Sequence, residues 1–350
     1  MKDLRLTESG LKWLKVNICS EFGLDKLKFD EQVKWVDEHN SELEELTKQA
    51  GSPFMYYNAV KALREHEKGN EVHIVIPMDA SNQALQLYGV LTADLRTSEI
   101  ASLGSYNNRM DAYQMLANAM NKAMNTEFFT RNICKKPLMV TLYGHSMAFL
   151  ELAENMNKEE LEYYNTELLP LTDENGVPVV ETAFFEAMYE IAPNAMKAMD
   201  LIQSLNDKNI GTYRWTLPDG FKVRYDVKSK VKFKTEIFGV ELEGEYEDYR
   251  PSEKNKGMAP NVIHSVDGYV AREMIRRMGD EFIHTIHDSF SVHPNNVDKL
   301  RQNYKDILSE ILESDLLSDI LTQIKGSKVT VKKEGTLTKD LIQKSEYALA

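Results

Sequence analysis

Apolar residues recur along the chain with two periods, and the changes from one period to the other mark its elements. Through residues 1–68 the spacing is mostly helical, with Phe29, Val33, Val36, Leu43 and Leu46 roughly along one face of a run over Phe29–Ala50. Val72–Met78 (VHIVIPM) is a short apolar, β-rich run between a charged turn and Asp79, and it predicts a buried strand. From Gln83 to Asn125 the helical spacing returns, with Asp111–Asn125 as an amphipathic helix. Arg131–Tyr143 predicts a further helix that Pro137 should kink or begin. After the Asn175-Gly176 turn, one long helix is predicted from Glu181 towards Asn206. Tyr213–Asp226, with Pro218-Asp219-Gly220 at its centre, predicts a β-hairpin. Residues 227–250 continue the alternation and end in an acidic, Tyr-containing loop. Asn261–Met278 has helical spacing; Phe282–Ile286 and Ser289–His293 then predict strand, bend and strand, with His287-Asp288 at the bend. The tail is apolar, Tyr347-Ala348-Leu349-Ala350. A small sheet among many helices is an α+β pattern.

Composition narrows the class. A chain of 350 residues, 42% hydrophobic, can bury a substantial core as one large or two medium domains. Its longest apolar runs, Val72–Met78 and Phe282–Ile286, are too short to span a bilayer, and no membrane partner is expected. The start, MKDLRLTESGLKWLK, lacks the apolar core of a signal peptide. Cys19 and Cys134 form no zinc spacing and suit a reducing cytoplasm. A net charge of −13 argues against nonspecific binding to phosphate. The charge is uneven, however. Acidic residues concentrate in Asp37–Glu45, Glu151–Glu167 and Glu241–Glu253, and basic ones in Arg131–Lys136, Lys222–Lys234 and Lys325–Lys333. A positive cleft in an acidic body stays compatible with a nucleic-acid enzyme.

Three motifs carry candidate chemistry. The first, Asp79-Ala80-Ser81-Asn82-Gln83-Ala84-Leu85-Gln86, follows the first strand. The second, Arg131-x₃-Lys135-x₇-Tyr143-Gly144, runs along a helix; the third is Thr285-Ile286-His287-Asp288-Ser289-Phe290. Taken singly each is ordinary: an Asp that ends a strand is usually a cap, and HDSF at a bend is usually turn chemistry. Together they describe something specific. Two carboxylates on neighbouring strand ends can hold two Mg²⁺ ions about 3.5–4 Å apart, as nucleotidyl transfer requires. Between them in sequence, Arg131 and Lys135 stand one helical turn apart, on a face suited to a triphosphate. Tyr143, two further turns along, can stack near base and sugar.

The set, in this order, resembles the single-subunit RNA polymerases of bacteriophages and mitochondria, whose motifs A, B and C it matches. Trp13-Leu14-Lys15, Ser52-Pro53-Phe54, Asp111-x-Tyr113, Thr216–Phe221, Pro260–Gly268 and the Asp340–Ala350 ending extend the likeness over most of the chain. The resemblance implies the palm and fingers of a right-hand polymerase, with a small antiparallel palm sheet among helices. It implies metal ligation by Asp79, Asp288 and the Ala80 carbonyl. Triphosphate contacts would come from Arg131, Lys135 and Lys136, with Lys135 as proton donor to pyrophosphate. Tyr143 and Gly144 would meet the substrate, Tyr143 sensing the sugar, with His264 at the sugar edge and Tyr113 as a further substrate contact.

The implied division is 1–78 as an N-terminal helical segment, 79–110 as the motif A region, 111–210 as fingers, 211–260 as a hairpin region placed like a promoter loop, and 261–350 as palm with motif C and a C-terminal foot. Related DNA polymerases carry a Glu at the position of Ala84 and an aromatic at that of Met139, so ribonucleotides are the expected substrate. The other rival is a noncatalytic accessory protein derived from a polymerase. The chain has no Gly-Arg dipeptide, and the family's thumb and T/D-x-x-G-R motif are not recognisable in it. Its likeness is therefore strongest to the larger subunit of the heterodimeric RNA polymerases of N-four-type podoviruses. That implies a small second subunit docked around Trp13, Phe29 and Trp35, and work in the cytoplasm of an infected bacterium. A DNA template, an RNA product, ribonucleoside triphosphates and promoter-opening accessory proteins complete the expected partners.

Overall fold

The computed structural model describes residues 3–104, 109–144, 152–248, 256–333 and 335–350. Helices α1 (Glu8–Cys19), α2 (Phe29–Glu38) and α3 (Pro53–Glu67) close a small core of their own around Leu14, Ile18, Leu43, Tyr56 and Val60. Thr7 caps α1 by accepting from the Gly10 N–H, and Pro53 opens α3, where a missing N–H is harmless. The single run expected over Phe29–Ala50 is interrupted: α2 stops at Glu38, and a 3₁₀ turn follows at Glu45–Gln49. His39 ends the helix by folding back on it. Its ring bonds the Trp35 carbonyl at 2.8 Å and stacks on the Trp35 ring at 4.6 Å.

The aromatic face expected to dock a second polypeptide is already covered. Trp13 and Phe29 are buried, and Phe29 stacks on Tyr347 of the C-terminal tail at 4.7 Å. The Arg301 guanidinium stands 4.5 Å over Trp13 and 5.1 Å over Phe29. Trp35 packs on Phe22 at 4.7 Å. The chain's own tail covers Phe29, while Trp35 stays half-buried.

Strand β1 (Ile76–Asp79) is shorter than the apolar run, because the Val72 N–H bonds the Leu4 carbonyl at 3.1 Å instead of entering the sheet. Helix α4 (Gln83–Thr92) starts at Asn82, whose side chain accepts from the Leu85 N–H, and all its residues are buried. The short α5 (Leu95–Glu99) follows. Helix α6 (Ala112–Met124) matches its expectation, with the Asp111 carboxylate capping its start and Asn125 ending it in the left-handed region. Helix α7 (Arg131–Thr141) begins at a Thr130 cap, so Pro137 lies inside it and is not its start.

Beyond α8 (Lys158–Tyr163), the one helix expected from Glu181 to Asn206 is two, α9 (Val179–Ile191) and α10 (Pro193–Ser204). Pro193 cannot donate back to Tyr189, so one helix ends and the next begins there. The expected hairpin forms from β2 (Thr212–Thr216) and β3 (Lys222–Asp226), with Tyr213 opposite Tyr225. A second ribbon, β4 (Ser229–Ile237) and β5 (Val240–Asp248), projects separately, and the acidic loop beyond it lies outside the described residues. Helix α11 (Met258–Met278) leads to β6 (Ile283–Ile286) and β7 (Ser289–Val292). Helices α12 (Val297–Glu313), α13 (Leu316–Lys325) and α14 (Lys339–Gln343) complete the chain.

The fold is thus α+β, and its only three-stranded sheet among the described residues is antiparallel in the order β1-β7-β6. No helix among them is long and apolar enough to cross a membrane.

Candidate active site

The central sheet brings the first and third motifs together. Asp79, the last residue of β1, is opposite Ser289 of β7, and the Ala80 N–H donates to the Asp288 carbonyl at 3.2 Å. His287 takes a left-handed conformation (φ 52°) at the β6–β7 bend, a backbone cost that His tolerates better than most residues. On its other side β1 meets the tail: the Asp79 N–H donates to the Ala350 carbonyl at 3.2 Å, and the Ala350 N–H to the Asp79 carbonyl at 2.9 Å. The Ser81 hydroxyl donates to Tyr347 O at 2.6 Å and the Gln86 amide to Ala348 O at 2.9 Å, so motif A holds the tail along its length. Burial, and then the negative charges of Asp79 and Asp267, push the Asp288 carboxyl above the ordinary carboxylate range.

The second motif closes the other wall. A cleft of about 390 Å³ is lined by Asp79, Ala80, Tyr113, Arg131 and Lys135 on one side, and by Glu21, Asp25 and Lys26 on the other. Arg131 donates to the Asp111 carboxylate at 2.5 Å, and its guanidinium lies 5.2 Å over the Tyr113 ring. The Tyr113 hydroxyl accepts from the Asn82 amide at 3.5 Å. Lys135 is exposed in the cleft; Lys136 faces elsewhere and pairs with Glu154.

Tyr143, just past α7, stacks on His264 of α11 with ring centroids 4.6 Å apart and planes 8° from parallel. Burial, then Asp267, Asp288 and Tyr113, push its phenol up to about 12, so it is a neutral O–H donor near pH 7. Gly144 has a backbone reason to be glycine. Its φ is +83°, and a Cβ there would stand 2.2 Å from the Gln203 amide nitrogen. Ala84, at the position where related DNA polymerases carry a Glu, is buried on α4.

The sequence reading passed over three residues of this region. Arg109, from a polar stretch without periodicity, lines the cleft and bonds the Asp25 carbonyl. Ala350 reaches the cleft only through long-range pairing with β1. Asp267 lay inside the Pro260–Gly268 stretch, one turn after His264, and the spacing alone could have marked it.

A family model described as DNA-dependent RNA polymerase matches residues 4–348. The DNA-directed RNA polymerase of Pseudomonas phage phiKMV is 23% identical over 97% of this chain and 47% of its own length. DNA-directed RNA polymerase 3 of Nicotiana sylvestris chloroplasts is 23% identical over 92% of the chain and 37% of its own length. The mitochondrial DNA-directed RNA polymerase 1 of Arabidopsis thaliana is 24% identical, again over 92% of the chain and 37% of its own length. The chain spans less than half the length of these relatives. With nearly its whole length matched by the family model, the chain belongs to the DNA-dependent RNA polymerase family.

Proposed function

We propose that this chain carries the nucleotidyl-transfer centre of a DNA-directed RNA polymerase, as the palm and fingers of a right-hand enzyme. One arrangement supports the reading above all: Asp79 at the end of β1 and Asp288 at the adjacent β6–β7 bend, with Arg131 and Lys135 on the wall of the Asp79 cleft. The donor set fits Mg²⁺. That ion takes hard oxygen ligands and is commonly held by one or two carboxylates plus water and substrate phosphates. Asp79, Asp288 and the Ala80 carbonyl would hold two ions, whose charge would offset the burial of the Asp288 carboxylate and the like charge of Asp79 beside it. Bound there, the ions would acidify the attacking 3′-hydroxyl and neutralise the departing pyrophosphate.

The remaining work falls to the chain's own side chains. Arg131 would exchange Asp111 for triphosphate oxygens while the Tyr113 face keeps its guanidinium in place. Lys135 is placed to give a proton to the pyrophosphate. Tyr143 would offer its hydroxyl to the ribose from a position fixed by the His264 ring. A small second subunit bearing the thumb and the T/D-x-x-G-R motif is proposed to complete the enzyme, as the resemblance to heterodimeric phage enzymes implies.

The test is extension of an RNA primer on a single-stranded DNA template with Mg²⁺, by the chain alone and with a short neighbouring protein that carries the Gly-Arg motif. Ribonucleotide extension by the pair, lost in Asp79→Asn and Asp288→Asn, is the expected result. No extension by any assembly, or a preference for deoxynucleotides, would overturn the reading; processive synthesis by the lone chain would remove only the second subunit.

A further inference from the structure

Asp267 is a charged group beside the Tyr143–His264 stack to which the mechanism above gives no task. Asp267 lies on α11 one turn after His264, on the same helix face, and points into the space between that helix, the start of α4 and the β6–β7 bend. One of its carboxylate oxygens is fully buried, with the Gln83 side chain as its hydrogen-bonding neighbour. Burying a carboxylate is costly unless nearby groups offset its charge. Its charge bears on His264 and His287, which attract it, and on Tyr143, Asp288 and the buried Tyr304, which do not. All but Tyr304 belong to the transfer centre.

We propose that Asp267 is a positioning residue for the Tyr143–His264 pair, its negative charge holding the His264 ring flat beneath Tyr143. The inference rests on the transfer reading given above. Its physical content is simple. The 8° stack gives the Tyr143 ring a supported orientation, and His264, itself exposed to solvent, makes no hydrogen bond among the described residues to keep it there. An attractive charge one helical turn away supplies that restraint. Tyr143 then keeps a fixed hydroxyl for the ribose. The alternative is that Asp267 merely fills the seam between α4 and α11, in which case its charge should matter to folding and not to sugar choice.

Single-nucleotide extension by the assembled polymerase separates the two, with rNTP and dNTP kinetics measured for wild type, Asp267→Asn, His264→Ala and the double variant. Asp267→Asn keeps shape and removes charge. It should lower the rNTP/dNTP ratio of kcat/KM roughly tenfold, on the scale that small misplacements in an active site produce. In the His264→Ala background the same change should add little, because residues that act as a unit are not additive. Should Asp267→Asn fail to fold, Asp267→Glu, which keeps the charge but displaces it, gives the same readout and should also lower the ratio. An unchanged ratio in a folded, active variant, or full additivity with His264→Ala, would overturn the proposal. Loss of wild-type extension itself would instead sink the transfer reading, so the two failures are distinguishable.

Discussion

Two antiparallel ribbons in this molecule have the same local construction and opposite surroundings. In the β6–β7 ribbon the bend carries His287 at φ 52°; in the β4–β5 ribbon it carries Phe238 at φ 54°. The first ribbon is joined by β1 and the tail, and its Phe290 and Val292 are completely buried. The second has no third strand, and one face exposes Phe233, Ile237, Val240, Leu242 and Tyr246, with Phe238 at the tip. Its other face is a ladder of opposite charges, Lys228–Glu247 at 2.9 Å, Lys230–Glu245 at 3.0 Å and Lys234–Glu241 at 3.6 Å. The basic stretch that the sequence offers for phosphate is therefore largely spent on neighbouring glutamates. A two-stranded ribbon alone is marginal in water, whereas a covered one can hold strained and like-charged groups in place. In the projecting ribbon the carboxylates are exposed and paired with lysines, whereas Asp288 of the covered one is partly buried beside Asp79.

That contrast is open to direct attack by paired substitutions. Phe290→Ala, in the covered ribbon, should cost about 3–5 kcal/mol, the usual range for a large side chain removed from a packed core. Phe233→Ala, in the projecting one, should stay within about 0.5 kcal/mol. Denaturant titration of both variants checks the pair, and equal losses would mean that the two ribbons are not differently supported.

A smaller effect concerns the charge stored at the covered bend. The Asp288 carboxyl titrates above the ordinary range when folded, so the folded chain binds more protons than the unfolded one in that window. Stability should accordingly fall as pH rises from the ordinary carboxylate range through the raised value. Asp288→Asn removes the term. With chelator present, the variant should melt roughly 1–2 °C above wild type at neutral pH and show no advantage at strongly acidic pH. A variant that melts lower at neutral pH would show that the like charges do not destabilise the bend.

The same contrast explains what the sequence disclosed. The β6–bend–β7 unit, the Pro218-Asp219-Gly220 hairpin and the capped helix after Asp111 are local in their causes, and their signals lie within a few residues. The division at Pro193 was legible too, had proline been weighed above the apolar period. What could not be read is long-range. Nothing near Asp79 announces that Ala350 will pair with it, or that Arg301 and Tyr347 will cover Trp13 and Phe29. The burial of Ala84 likewise depends on how α4 packs into the core. Candidate ligands were legible as residue types in order, while the positioning around them emerged only from the fold.

The central claim is that Asp79 and Asp288 together hold divalent cations. It is tested most directly by measuring Mn²⁺ binding to the chain by electron paramagnetic resonance, with and without a ribonucleoside triphosphate. The measurement needs neither a template nor a partner. Wild type should bind Mn²⁺, more tightly with the triphosphate, and Asp79→Asn and Asp288→Asn should each weaken binding at least about tenfold while the melting curve stays cooperative. Unaltered Mn²⁺ affinity in both folded variants would contradict the account.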